Sequence, residues 1–257
     1  QLSAAARRRT VLELQDINRH RARLMWHIAQ AGGATAPDAM LAAWTALQPG
    51  REPWSDMFDA THRQLMGRLS GKRLTDPAMP EAVQLECPPA FEAELRAALG
   101  PRFASEMQAA LVPAPVDLRV NTLKLPLSAV IKRLKAQDID AVPMTWSPWG
   151  LRCPPGSNVS STSAFRDGLV EFQDEASQVA ALLVDARPGL QVMDFCSGTG
   201  GKALALGASM ENRGHLVACD PSEARLARSK LRLKRAGVER SEELTSELQS
   251  PCNLVCR

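Results

Sequence analysis

Tyrosine is absent from this 257-residue chain, and six phenylalanines with five tryptophans hold aromatic content to 4%. A core must therefore rest on Leu, Val, Ile and Ala, and 45% hydrophobic with 23% charged residues is enough for a sizeable one. No apolar run approaches membrane-spanning length, and no charged-then-apolar signal stretch opens the sequence, which begins at Gln1. The six cysteines (Cys87, Cys153, Cys196, Cys219, Cys252 and Cys256) lack paired C-x-x-C spacing, so neither a zinc site nor a disulfide scaffold is expected. The composition fits a reduced, cytoplasmic protein in which Cys196 and Cys219 act as small buried hydrophobes. A formal charge of +3 is too small to identify a nucleic-acid partner by itself.

What is present concentrates in one stretch. Gln191 to Asp194 is an apolar run ending in an acid; Phe195 to Gly201 breaks into a glycine-rich turn; Lys202 to Leu206 resumes as a helix. Strand, tight loop and helix start follow in immediate succession, the arrangement that places helix N–H groups over the carboxyl end of a strand in an open α/β sheet. A phosphate-binding P-loop fails, because Ala203 follows Gly201-Lys202 and Cys196 stands where the first glycine belongs. The dinucleotide pattern G-x-G-x-x-G/A is met by Gly198, Gly200 and Ala203, a match a small alphabet produces easily.

Two details favour S-adenosylmethionine instead. Asp194 lies ahead of the glycines, where its carboxylate faces an ammonium group. His215 to Asp220 reads as a second strand ending in an acid, placed for ribose hydroxyls. The cofactor set expected from this pattern is Asp194, Cys196, Ser197, Gly198, Thr199, Gly200, Gly201, Lys202 and Asp220, with no metal.

Phe172-Gln173-Asp174-Glu175-Ala176-Ser177-Gln178, then Asp194 to Lys202, then Asp220, preceded by Asp117-Leu118-Arg119-Val120-Asn121-Thr122-Leu123-Lys124, resemble the Sun/RsmB/Nop-type family of RNA (cytosine-5) methyltransferases. The resemblance covers residues 88 to 238. Thr199 departs from it, since many members carry proline there. It implies a class I, Rossmann-like methyltransferase domain using S-adenosylmethionine on ribosomal or transfer RNA, by a monomeric enzyme without membrane association. It also implies that residues 88–165 form a small RRM-like α/β unit, between a helical region with linker (1–87) and the methyltransferase domain (166–257). On that platform Arg119 and Asn121 either contact RNA or satisfy backbone groups.

Along the chain, Ile17, Leu24 and Ile28 and then Leu41, Trp44 and Leu47 recur at helical spacing, the second set after a capping Asp38. Arg7, Arg8, Arg9, Arg19, Arg21 and Arg23 make this end basic, as an RNA-facing surface or a solvated helix face. Asp174 is placed to cap the next helix. Arg225, Arg228, Arg232 and Arg235 form one stripe, expected to be a solvated outer face, with phosphate contact as the alternative. From Glu239 onward no strand is expected, so the Rossmann sheet reads as two strands with an exposed edge, C-terminally incomplete. Cytosine C5 becomes nucleophilic once a thiolate adds to C6. The family's Pro-Cys motif is not found at the expected distance, and Cys252, in Pro251-Cys252, is the sole weak candidate. A chain read this way is expected to lack turnover. A non-catalytic RNA-binding fragment and a nicotinamide-dependent oxidoreductase are the competing functions.

Overall fold

The computed structural model describes residues 3–48, 57–238 and 254–256, in two compact units, Gln1–Pro113 and Ala114–Arg257. No helix among the described residues is long and apolar enough to cross a membrane.

The first unit is helical: α1 (Ala4–Arg19), α2 (Arg21–Gln30), α3 (Pro37–Leu47), α4 (Ala60–Leu69), α5 (Glu81–Gln84), α6 (Glu92–Leu99) and α7 (Phe103–Ala110). Leu24, Ile28, Trp44 and Leu47 bury as their spacing demands, joined by Leu65 and Leu69 of α4. Asp38 does not cap α3. Pro37 takes the first helical position after Ala36, because its fixed φ suits the first turn, and Asp38 sits one residue further in. Nor is the basic end wholly a free surface. Arg23 Nε donates to the Gln84 carbonyl at 3.0 Å and lies 3.6 Å from Glu86, whose carboxylate accepts the N–H groups of Ala22 (2.6 Å) and Arg23 (3.1 Å). The start of α2, which has no side-chain cap of its own, is thus capped from 64 residues away.

The second unit begins β1 (Val116–Val120), α8 (Leu127–Lys135), β2 (Val142–Pro143), β3 (Gly150–Cys153), α9 (Ser163–Arg166), β4 (Val170–Phe172). The strands pair antiparallel in the order β2-β3-β1-β4, a ferredoxin-like sheet. Leu118 and Val120 pack against Val130 and Leu134 of α8. Strand alternation sends Arg119 and Asn121 to the opposite face, yet they are 3% and 2% exposed, because that face too is covered.

What covers it is the rest of the unit: α10 (Glu175–Leu183), β5 (Gln191–Asp194), α11 (Gly201–Ser209), β6 (His215–Ala218), α12 (Glu223–Ala236) and β7 (Leu254–Cys256). β5 and β6 pair in parallel with α11 as crossover, and Leu204, Leu206, Leu216, Leu226 and Leu233 fill the core between them. The expectation of two strands is corrected: β7 pairs antiparallel with β6, Val255 opposite Val217. The apolar triplet Leu254-Val255-Cys256 is too short for periodicity to reveal, and a neighbouring strand edge supplies its partner. Met193 on β5 and Phe195 just after it remain 60% and 70% exposed.

Candidate functional site: the glycine loop between β5 and α11

β5 ends at Asp194, and its parallel partner β6 ends three residues before Pro221, so both acids emerge at the same edge of the sheet. The loop is tied to both strands: Cys219 N–H donates to the Asp194 carbonyl and Ser197 N–H to the Cys219 carbonyl, each at 2.8 Å. Gly198 (φ +56°) and Gly200 (φ +83°) are left-handed, where a side chain would be strained. At Gly200 a Cβ would also come within 2.3 Å of Ser229 Oγ on α12, whereas at Gly198 it would meet open space. The glycines therefore serve different ends. Gly200 lets the loop sit down on α12, and Gly198 faces open space.

Asp194 is 7% exposed and its Oδ2 has no partner. Burial pushes its carboxyl above the usual aspartate value, opposed by the Lys202 charge and the Ala203 N–H. Ser197 Oγ beside it is likewise buried without a partner. Asp220 Oδ2 accepts the Gly198 N–H at 3.0 Å and Oδ1 the Ser222 N–H at 2.9 Å, with Arg225 Nη1 3.7 Å from Oδ2. Each carboxylate oxygen has two lone pairs, so Asp220 retains acceptor capacity. Lys202 is exposed at the first turn of α11. Cys196 is exposed as well, which corrects its reading as a buried hydrophobe; Cys219 is 2% exposed. A one-residue difference after the strand decides which thiol faces out. Cys252 lies outside the described residues.

The motif from Phe172 to Gln178 lies behind this loop. Asp174 caps α10, its Oδ1 accepting the Ser177 N–H at 2.8 Å. Gln178, fully buried, donates to the Gln173 carbonyl (2.7 Å) and the Leu118 carbonyl (3.2 Å) and accepts from Ser147 Oγ (2.7 Å). Glu175 holds the Trp146 N–H at 2.6 Å and stands 3.4 Å from Arg152, which forks onto Asp117 with two contacts of 2.8 Å. These residues join α10 to the ferredoxin-like sheet.

Arg119 lies opposite Glu171 in the β1–β4 register and donates from Nε to Gln173 Oε1 at 2.8 Å. Burial lowers its pKa to about 10, Glu171 opposing and Arg232 adding to the shift. Asn121 spends its amide inside the fold, donating to the carbonyls of Gly168 (2.9 Å) and Ala236 (2.6 Å) and accepting the Leu123 N–H at 3.2 Å. Lys124 Nζ reaches the Arg235 and Asp167 carbonyls, both at 2.7 Å. The carbonyls left open at the end of α12 are thus closed by the segment that follows β1.

The arginine stripe of α12 needs the largest correction. Arg225 is 61% exposed at its side chain, but Arg232 and Arg235 turn inward. Both hold the Glu171 carboxylate, Arg232 at 3.0 Å, and Arg235 also stacks on Phe165 with its guanidinium carbon 4.0 Å from the ring centre. Helical spacing shows that these arginines share a face; it does not show the buried acid waiting on another element. Sequence reasoning missed Glu171, whose only signal was an acid inside an otherwise apolar strand. Among the described residues no His, Cys, Asp and Glu gather to hold a metal.

Fold and site together define a Rossmann-like methyltransferase domain behind a ferredoxin-like domain. The Methyltr_RsmF/B-like, ferredoxin-like domain matches residues 87–160, and the ubiE/COQ5 methyltransferase family matches residues 175–250. The chain is 31% identical over 132 residues to the 25S rRNA (cytosine-C(5))-methyltransferase NSUN5 of Arabidopsis thaliana, covering 50% of this chain and 22% of that protein. It is 33% identical over 125 residues to the ribosomal RNA small subunit methyltransferase B of Pseudomonas syringae pv. tomato, covering 49% and 28%. The crystal structure of PH0851 superposes with a TM-score of 0.71 at 25% identity, over 92% of this chain and 60% of that one. Over the matched stretches the chain is similar to ribosomal RNA methyltransferases, and those stretches span under a third of either curated relative's length.

Proposed function

We propose that this chain binds S-adenosylmethionine between Asp194 and Asp220 and serves the methylation of cytosine C5 in RNA, with ribosomal RNA as substrate class. The observation that carries the cofactor is the buried Asp194 Oδ2 without a partner, at the start of a loop whose Gly198 faces open space. A buried acceptor left unsatisfied is destabilising unless something outside the fold completes it. The cofactor's ammonium group matches it in charge and donor capacity, and its ribose hydroxyls match the remaining lone pairs of Asp220.

When bound, the cofactor supplies an electrophilic methyl group. The chain's own residues orient it: Asp194 fixes the amino-acid end, Asp220 the ribose end, and the bare edge of Gly198 admits the body between them. Sequence similarity to the curated ribosomal RNA enzymes supports the substrate class. Arg119 and Asn121 serve RNA indirectly on this reading, by holding the ferredoxin-like sheet against the methyltransferase domain. A monomeric, cytoplasmic protein fits the same reading.

Calorimetric titration of the wild-type chain and of Asp220→Ala tests it. Wild type should bind S-adenosylmethionine, and the variant should bind at least about tenfold more weakly, the loss expected for a charge-assisted hydrogen bond. Equal binding by both proteins, or tighter binding of NAD, would refute the assignment.

A further inference from the structure

The glycine loop runs on a backbone with two left-handed residues, Gly198 and Gly200, flanking Thr199. Within the loop, the Gly200 N–H reaches back to the Ser197 carbonyl at 2.8 Å. The grip on Thr199 itself comes from α12. Arg232 Nη1 donates to the Thr199 carbonyl at 2.9 Å and to its Oγ1 at 2.8 Å, holding backbone and side chain at once. One helical turn earlier, Ser229 lies directly beneath Gly200.

Arg232 is not free to swing. Its Nε and Nη2 both sit on Glu171 Oε2, at 3.2 Å and 3.0 Å, and the Glu171 side chain is 3% exposed on β4 of the ferredoxin-like sheet. Arg119, opposite Glu171 in register, bonds Gln173, whose Nε2 lies 3.9 Å from where a Cβ on Gly201 would stand. From these contacts we infer that Arg232 is a positioning residue for the cofactor: through Thr199 it fixes the glycine loop, and it takes its own position from Glu171 on the neighbouring sheet.

The inference deepens the reading of this loop as the S-adenosylmethionine site and rests on it. It also gives Thr199 a reason. A proline there would stiffen the loop without a hydroxyl; threonine leaves the loop's conformation to Arg232. The guanidinium suits the task because its planar fork meets two acceptors on one side and a carboxylate on the other, which an ammonium cannot do.

Three variants separate this role from simple stability: Thr199→Val, which keeps the shape and loses the hydroxyl, Thr199→Ser, which restores it, and Arg232→Lys. We expect Thr199→Val to weaken S-adenosylmethionine binding about tenfold, one hydrogen bond to a charged donor, with an unchanged melting temperature. Thr199→Ser recovers the affinity, and Arg232→Lys loses more than Thr199→Val. Wild-type affinity in both Thr199→Val and Arg232→Lys would overturn the inference. So would a loss in Thr199→Val that Thr199→Ser does not repair.

Backbone amide exchange of the ligand-free proteins distinguishes this inference from the cofactor assignment. If wild type binds no S-adenosylmethionine, the assignment falls, and protection at Gly198, Thr199 and Gly200 decides the rest. Protection lost in Thr199→Val and Arg232→Lys but kept in Thr199→Ser supports the positioning role; equal protection in all four proteins refutes it.

Discussion

Glu171→Gln should destabilise the second unit by about 3–5 kcal/mol, the usual result of removing one partner of a buried ion pair. The reason is local charge balance. Glu171 is 2% exposed and is the carboxylate on which Arg232 and Arg235 close, while Arg119, 3% exposed, lies opposite it across the β1–β4 ladder. Burial already disfavours the charged form of Arg119, and the Glu171 charge is the first influence working against that. Glutamine keeps the shape and the acceptor oxygen but leaves the arginines without a counter-charge in a poorly solvated place. Denaturant unfolding reads the loss directly. Pairing Glu171→Gln with Arg119→Met should recover part of it, because the second change removes a buried charge that the first left uncompensated. A loss below about 1 kcal/mol, the range typical of exposed pairs, would mean that the cluster is screened by water and joins nothing.

Asp194→Asn should separate stability from binding. Burial raises the carboxyl above its ordinary value, so the folded chain favours the protonated form. The sign follows from linkage. Stability contributed by the protonated carboxyl is present below the unfolded value of 3.8 and is lost as pH rises through the higher folded value. At neutral pH the buried carboxylate therefore opposes folding, and the neutral amide relieves it. Without ligand, Asp194→Asn should melt at or above the wild-type temperature near neutrality, and the gap should close in acid. S-adenosylmethionine affinity should nevertheless fall about 10- to 100-fold, since the ammonium loses its counter-charge. Wild-type affinity should weaken in acid as Asp194 takes up its proton. A variant that is clearly less stable than wild type, or that binds equally well, would show that Asp194 serves the fold rather than the cofactor.

The sequence made the glycine loop legible because its signals are local. An acid at a strand end, glycines where the backbone turns left-handed and a helix start directly afterwards are readable within a dozen residues, as is the Asp174 cap. The alternation of β1 and the stripe of α8 were legible for the same reason. What escaped is wiring between elements far apart in sequence. Asn121 meets Ala236 across 115 positions and Glu171 meets Arg232 across 61, and no periodicity encodes such a pairing. The strand β7 escaped because three residues pair only once a neighbouring edge exists. Cys196 was misjudged because a cysteine at a strand's end faces in or out according to one residue of loop.

Amide chemical-shift mapping of the isotope-labelled chain during titration with S-adenosylmethionine tests the proposed cofactor site most directly. The account predicts that the largest changes fall on residues 194–202 and 220–222 and saturate together, and that Asp194→Asn needs about 10- to 100-fold more cofactor to reach them. Saturating shifts centred elsewhere, or no shifts up to millimolar cofactor, would contradict it.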